Sequence, residues 1–355
     1  MSSALAPPRF ALPPGSDAAT PPEARGLARD QVRLAVARPD DVRHARAEDL
    51  PAHLEAGDLL VVNTSATLPS ALVARRRGST ADWGLHVSTA LADGSWVVEL
   101  RRPDRAGPAT PEPGEVLHLP DGVRLHLQAP HPAGQQRLWR AVTHPRVDRV
   151  PYLREHGSPI RYPYVRGHWP IEALQNVYAE QPGSAEMASA GRPLSERLLV
   201  RLMARGVVVA PLVLHTGVAS QEAHEPPQPE WFEVPETTAR LVAGTRAAGA
   251  RVVAVGTTVV RALESAALRA GDGPLAGVSG WTDLVLGRRP GTRRARIVTG
   301  LLTGLHEPEA SHLDLLEAVA GAPLVTAAYD AVAHTDAVGP RYLWHEFGDS
   351  MLLLP

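Results

Sequence analysis

No cysteine occurs anywhere in the 355 residues, which excludes disulfides, thiolate metal sites, iron–sulfur clusters and a cysteine nucleophile. Lysine is missing as well, so all 36 basic residues are arginine; Schiff-base chemistry and the lysine of a phosphate-binding loop go with it. Apolar runs reach only strand length, so no segment reads as a membrane-spanning helix. The amino terminus has no charged start followed by an apolar stretch, which is not the pattern of a secretory signal, and a cytoplasmic location is expected. An excess of either charge is also lacking, because 36 basic residues face 38 acidic ones for a formal charge of −2. Nothing global then demands a nucleic-acid partner, although a local basic patch can still serve one.

The length suits two domains, one inserted in the other. Residues 1–30 are rich in Pro and Ala and are expected to drape over the surface. The first strong element, Asp58-Leu59-Leu60-Val61-Val62-Asn63, is a continuous apolar run, as in a strand covered on both faces. Between 71 and 142 the pattern turns to short alternating runs at 85–91, 96–100, 116–119, 123–127 and 138–142, with Asp93-Gly94 and Asp121-Gly122 as tight-turn signals. These predict a small antiparallel β-barrel domain at 71–144, inserted into a discontinuous α/β domain of 1–70 and 145–355. After Pro151 helix and strand patterns alternate, which predicts a mixed sheet with flanking helices. Helices are expected at 195–206, capped by Ser195, and at 235–249, 259–270 and 311–320; strands are expected at 207–214, 251–255 and 296–302.

Those three strands end in small or polar residues: Leu214-His215-Thr216-Gly217, Val255-Gly256-Thr257-Thr258 and Leu302-Thr303-Gly304-Leu305-His306. In open α/β sheets ligands sit at the carboxyl ends of strands, so the three loops are expected to share one site. Gly256 admits close backbone approach, and Thr257 and Thr258 offer hydroxyls and free amides to an anion; an ordinary threonine cap after a glycine turn is the simpler account. Arg261 and Glu264 stand three apart on the following helix, where a local ion pair is expected. His215 and His306 titrate near neutrality and qualify as acid, base or ligand-orienting groups. His306, Glu307, Glu309 and His312 crowd one segment, but Pro308 breaks the helix that a His-Glu-x-x-His metal arrangement needs, and no metal is expected. The densest basic cluster, Arg288, Arg289, Arg293, Arg294 and Arg296, suits RNA phosphates and equally a solvated hairpin tip.

Taken in order, several segments resemble the S-adenosylmethionine:tRNA ribosyltransferase-isomerases of queuosine biosynthesis. They are Gly57-Asp58-Leu59-Leu60-Val61-Val62-Asn63, Gln175-Asn176-Val177-Tyr178-Ala179, Pro182-Gly183-Ser184, Ala190-Gly191 and Leu214-His215-x-Gly217. Glu230-Trp231-Phe232-Glu233, Ala254-Val255-Gly256-Thr257-Thr258-x-x-Arg261-x-Leu263-Glu264 and Gly348-Asp349-x-Met351-Leu352 complete the series, which spans nearly the whole chain from about Arg29. The resemblance implies an α/β domain carrying an inserted barrel, with S-adenosylmethionine as donor. Its ribosyl part would be transferred to 7-aminomethyl-7-deazaguanine in tRNA and isomerised to epoxyqueuosine, with loss of adenine and methionine. That chemistry asks for a base at an acidified C5′ hydrogen, an attacking amine and protonation of the departing adenine. Carried over residue by residue, the resemblance implies Tyr178, His215, Glu230 and His306 as catalytic candidates. It likewise implies Asn63, Gly183, Ser184, Gly191, Gly217, Gly256, Thr257, Thr258, Arg261, Thr303 and Asp349 as substrate-binding ones.

The departures concentrate elsewhere. The family's Asn-Asp-Thr-Arg stretch stands here as Asn63-Thr64-Ser65-Ala66, its Pro-Thr-Ala-Gly-Leu-His-Phe loop as Ala188-Ser189-Ala190-Gly191-Arg192-Pro193-Leu194, and the His of its Met-His-x-Glu segment as Gln228. Ala219-Ser220-Gln221-Glu222 replaces Gly-Thr-Phe-x-Pro, and Gly304-Leu305-His306-Glu307-Pro308-Glu309-Ala310 replaces Asn-Phe-His-Leu-Pro-Lys-Ser. Scaffold motifs survive better than cleft motifs, and a fold does not fix a function. Two other readings therefore stay open: a diverged paralogue acting on a different nucleoside or small-molecule acceptor, and a non-catalytic ligand- or RNA-binding protein on the same scaffold.

Overall fold

A strand with no polar alternation has no face to give to water, and Leu59–Asn63, buried at every position, runs through the middle of the main sheet. The computed structural model describes residues 10–12, 14–103, 107–218, 228–287, 292–308, 310, 312–333 and 341–355. In chain order its strands are β1 (Arg33–Arg38), β2 (Asp41–Arg46), β3 (Leu59–Asn63), β4 (Ser65–Thr67), β5 (Ala71–Arg76), β6 (Asp82–Ala90), β7 (Trp96–Arg101), β8 (Val116–His118), β9 (Arg124–Pro130) and β10 (Leu138–His144). After helix α1 (Arg149–His156) come β11 (Gln181–Ser184), α2 (Glu196–Ala204), β12 (Val208–Leu214), β13 (Glu230–Val234), α3 (Glu236–Ala247), β14 (Val252–Val255) and α4 (Thr257–Ala270). The chain ends with β15 (Val278–Thr282), β16 (Gly300–Gly304), α5 (His312–Ala320), α6 (Ala322–Ala333) and β17 (Ser350–Leu353).

The main sheet has the order β15-β13-β12-β3-β14-β16-β17-β1-β2. Its centre, β12-β3-β14-β16, is parallel, and antiparallel β13 and β17 flank it. Successive residues of β3 serve opposite faces: Leu59 and Val61 pack with Val242, Leu263, Leu316 and Ala328 from α3 to α6, while Leu60 and Val62 pack with Leu198 and Leu202 of α2. Ser195 caps α2 by accepting from the Leu198 amide at 3.1 Å. Strands β5 to β10 form a closed barrel with its own core around Leu85, Val98, Leu125 and Trp139. Asp121 and Gly122, with φ of 54° and 71°, make the turn into β9 in the left-handed conformation that an Asp-Gly pair favours. Among the described residues no helix is long and apolar enough to cross a membrane.

Three expectations need correction. Among the described residues of 1–30, the chain is anchored in the core at points rather than only draped over it: Phe10 is buried and stacks on Tyr329 with ring centroids 4.6 Å apart, and Asp17 bridges to Trp344. Strand β16 begins at Gly300 and not at 296, because the amides of Arg296, Ile297 and Val298 all donate to the Glu264 carboxylate at 2.8, 2.8 and 3.0 Å and are unavailable to a ladder. The same three bonds occupy Glu264, so the expected Arg261–Glu264 ion pair does not form. Arg261 pairs with Glu230 instead.

Candidate active site

The parallel strands β12, β14 and β16 end on one side of the sheet, where their following loops border a cleft of about 710 Å3. Gly217, Glu230, Gly256, Thr257, Thr258, Arg261, Thr303 and His306 all line it, so the three loops do share one site. Because β13 runs antiparallel to β12, Glu230 at its start lies beside the β12 end. The barrel contributes Arg137, whose guanidinium donates to Glu99 at 2.5 Å and reaches the Val218 carbonyl at 3.4 Å.

Helix α4 opens on this cleft. Gly256 has φ of 90°, and an added Cβ would lie 3.2 Å from the Cβ of Ala190, so both backbone conformation and space call for glycine. No side chain caps the helix, and its first two residues, Thr257 and Thr258, line the cleft, which places the partial positive charge of the helix amino end there. On the next turn Arg261 forms a charge-assisted pair with one Glu230 oxygen, while the other accepts from the Gly217 amide at 2.9 Å. Arg261 also reaches the carbonyls of Leu284 at 3.2 Å, Gln228 at 3.2 Å and Thr282 at 3.3 Å, so all three of its nitrogens are engaged.

Opposite, His306 Nε2 lies 2.9 Å from Thr303 Oγ1, and its ring stacks on His312 at 4.6 Å with the planes 1° apart. Burial, with smaller contributions from His312 and His345, holds His306 well below the usual imidazole range, so the ring is neutral near pH 7. Parallel rings send their lone pairs side by side rather than toward one point. Among the described residues the one cluster spaced for metal ligands, Asp121, Glu155 and His156, lies on the barrel side of the molecule.

A further wall escaped the sequence reading. Tyr162 and Tyr164 stack at 5.5 Å, and Tyr164 stacks on His345 at 4.0 Å, with interplanar angles of 7° and 15°. Tyr164 donates to Glu346 at 2.5 Å, and Tyr162 bonds Glu186. The pattern Tyr162-Pro163-Tyr164, in a chain with 5% aromatic residues, was the available signal.

Other candidates lie behind the lining. His215 stacks on Trp231 and presses on Gly183, where a Cβ would come within 2.3 Å of the ring. The Thr216 amide donates to Ser184 Oγ at 3.0 Å, Ser184 Oγ and Ser65 Oγ share a hydrogen bond of 2.6 Å, and Ser65 Oγ lies 2.7 Å from His215 Nδ1. Burial and nearby Arg149 hold the imidazole down to about 4, so it is neutral near pH 7. Asn63 staples β3 to β12 through the Leu214 carbonyl at 2.8 Å and amide at 3.0 Å. Asp349 accepts from the amides of Arg33 at 2.7 Å and Leu343 at 2.8 Å, and burial pushes its carboxyl up.

Tyr178 packs its hydroxyl against Gly191, where a Cβ would lie 1.8 Å away, and the hydroxyl is buried without a hydrogen-bond partner among the described residues. An unpartnered buried hydroxyl costs about 1–3 kcal/mol. Tyr178→Phe is therefore expected to leave stability unchanged or raise it, and to leave turnover intact. Thermal unfolding and an activity assay check this; a large loss of either contradicts it.

Arg293, Arg294 and Arg296 are exposed, on the segment that leaves the cleft at Thr292. Arg288 and Arg289 lie outside the described residues, as do 219–222 and Glu309.

A family model described as queuosine biosynthesis protein matches residues 7–353. The S-adenosylmethionine:tRNA ribosyltransferase-isomerase of Thermus thermophilus is 36% identical over 341 residues, covering 92% of this chain and 93% of its own. That of Pelotomaculum thermopropionicum is 32% identical over 338 residues, with 92% and 94% covered. The crystal structure of the S-adenosylmethionine tRNA ribosyltransferase from Thermotoga maritima is 28% identical, covers 97% of this chain and 99% of that one, and has a TM-score of 0.52.

Proposed function

The chain belongs to the queuosine biosynthesis protein family, and from this premise we propose that its cleft transfers the ribosyl part of S-adenosylmethionine to a 7-aminomethyl-7-deazaguanine of tRNA and isomerises it to epoxyqueuosine. S-adenosylmethionine is the substrate and tRNA the partner. The observation that carries the reading is the convergence of three strand ends and the α4 amino end on one cleft, in a chain that matches the family over 7–353. Its volume of about 710 Å3 falls among ligand sites of roughly 300–1,000 Å3. The free amides and hydroxyls of Thr257 and Thr258 suit the donor's carboxylate. Glu230, fixed by Arg261 and Gly217, and neutral His306 are lining groups able to accept a proton. Separate hydrophobic cores support an α/β domain of 1–70 and 145–355 with an inserted barrel domain of 71–144, the barrel core also drawing in Leu68, Tyr152 and Leu153 from just outside those bounds. With tRNA as substrate, the protein works in the cytoplasm.

Incubation with S-adenosylmethionine and precursor tRNA, followed by mass spectrometry, tests the reading. Adenine and methionine should appear only when the tRNA is present, and their absence under all conditions would sink it. Transfer to a different acceptor is the second reading, favoured by Gln228, which lines the cleft and donates to Gln135 of the barrel at 2.7 Å. Adenine release with a small-molecule acceptor and none with tRNA would select it.

Arg293 and Arg294, exposed just beyond Thr292 of the cleft lining, should meet the tRNA backbone. Replacing these two together by Gln is expected to weaken tRNA binding, whereas Arg296, which lines a separate hollow with Arg246 and Gly271, should not contribute. Every phosphate that is no longer neutralised should lower the slope of log affinity against log salt by about 0.7–0.9. Filter binding across a salt series reads both, and an unchanged slope would remove these residues from the interface.

A further inference from the structure

We propose that the outer wall of the barrel along β5, β8, β9 and β10 is a second tRNA-binding surface, which holds the sugar-phosphate backbone at a distance from the reacting base. The proposal takes its partner from the reading above and gives that partner a surface outside the cleft. These four strands contain no acidic residue, whereas they carry four arginines and three histidines. Pairing register sets four of the seven in one line: Arg75 stands opposite His118, His118 opposite Arg124, and Arg124 opposite His144. All four are exposed, while their strand neighbours Ala74, Leu117, Leu125 and Thr143 are buried, so the row lies on the outside of the barrel. Directly opposite side chains stabilise a sheet when their charges are opposite, and here basic faces basic at each step, so the row gains nothing for the fold. Arg75 meets Asp82 at 3.6 Å with both side chains mostly in solvent, a contact worth little. The arginines just off the row are matched, Arg76 by Glu115 and Arg140 by Asp93, but among the described residues Arg124 has no ion pair. A polyanion supplies the missing charge along the whole line.

The chemistry of the row fits RNA. Strands lie about 4.7–4.9 Å apart, which roots Arg75 and Arg124 about 10 Å from each other, and two arginine forks reaching outward from there can meet phosphates of one strand. The histidines add ring N–H donors and flat surfaces. His126, two residues along β9 from Arg124, lies edge-to-face with His144 at 6.5 Å. Unpaired RNA bases stack on such rings, so the wall can hold backbone and splayed bases together. Strand β10 links it to the site: its start, Leu138, follows Arg137 of the cleft lining, and His144 at its far end is about 20 Å away. A base in the cleft and a backbone on the barrel then engage one tRNA at two points, and the second contact multiplies the affinity of the first.

Arg75→Gln with Arg124→Gln removes the two arginines of the row at solvent-facing positions, and thermal unfolding should show the fold unchanged. Filter binding of precursor tRNA across a salt series is expected to show a loss of tenfold or more in affinity. The slope of log affinity against log salt should fall by about 0.7–0.9 for each phosphate released. His118→Gln with His144→Gln should also weaken binding. Arg240→Gln with Arg246→Gln, which takes the same charge from exposed positions of α3, should stay within twofold of the parent. Parent-like affinity and slope in the barrel arginine variant, an equal loss in the α3 variant, or a parent that binds no tRNA would overturn the surface. A parent that binds tRNA through this row yet never releases adenine and methionine would leave the surface standing and sink the reading of the reaction. Release of both by a parent whose barrel arginine variant binds tRNA just as well would do the reverse.

Discussion

Arg261→Ala should destabilise the protein by about 3–5 kcal/mol, the cost of removing one partner from a buried ion pair. The magnitude follows from what stays behind. Glu230, with a side chain 13% exposed, keeps its charge and its bond to the Gly217 amide, while the carbonyls of Leu284, Gln228 and Thr282 lose a donor together. Arg261→Lys should recover little, because a single ammonium cannot span the acceptors that the planar fork reaches. Arg261→Ala combined with Glu230→Gln removes both charges and should be less damaging than the sum of the single changes, with a coupling of about 1–3 kcal/mol. Turnover should fall by about 100-fold or more in Arg261→Ala, since the pair fixes the junction of β13, the β12 loop and α4 along the cleft. Urea unfolding of the two single variants and the double one decides the matter. Single losses under 1 kcal/mol, or strict additivity, would show that the pair does not hold the wall.

The elements legible in the sequence were those whose local pattern is decided by burial alone. β3 and β14 are apolar without alternation because both sheet faces are covered, and the strands of the barrel alternate because one face fills its core. Gly256-Thr257-Thr258 could be read because glycine before a helix start has a local meaning. β2 was illegible: as an exposed edge strand, its Asp-Val-Arg-His-Ala-Arg sequence carries almost no hydrophobic signal. Local spacing also misdirected Arg261, because a helix offers it Glu264 three residues on, whereas the fold hands Glu264 to three backbone amides and brings Glu230 across from β13. The tyrosine wall joins Tyr162 and Tyr164 to Glu186 and, after some 180 residues of chain, to His345 and Glu346. No periodicity encodes such a meeting. Tyr178, Asn63 and Asp349 came from the resemblance, and His215 from its place at a strand end as well; in the fold all four lie behind the lining, in contacts that hold loops and strands in place.

Acid should unfold this protein above the pH at which its carboxylates titrate, because buried histidines resist protonation. Burial holds His306 well below the usual imidazole range and His312 down to about 4, and His215 and His86 behave alike. Burial and Arg149 hold His215 down to about 4, and burial holds His86 down to about 4 although Glu99 pulls upward and Arg101 and Arg137 push down. In the open chain both titrate near 6.5. Between those values the unfolded chain binds protons that the fold refuses, so stability rises with pH, is fully present above 6.5 and drains away as pH falls toward 4. Each histidine contributes a slope of about 1.4 kcal/mol per pH unit, and on the order of 3 kcal/mol across the window. Two such groups are large against a total stability of roughly 5–15 kcal/mol, so unfolding near pH 5 is expected. Urea midpoints taken between pH 7.5 and 4.5 measure the slope. His215→Asn, which cannot be protonated, should remove about half of the two-histidine contribution whatever its effect at pH 7.5, and His86→Gln should remove the other half. Carboxylates titrate alike in all three proteins and cancel in the comparison. A slope that both variants share with the parent would mean that neither ring resists protonation in the fold.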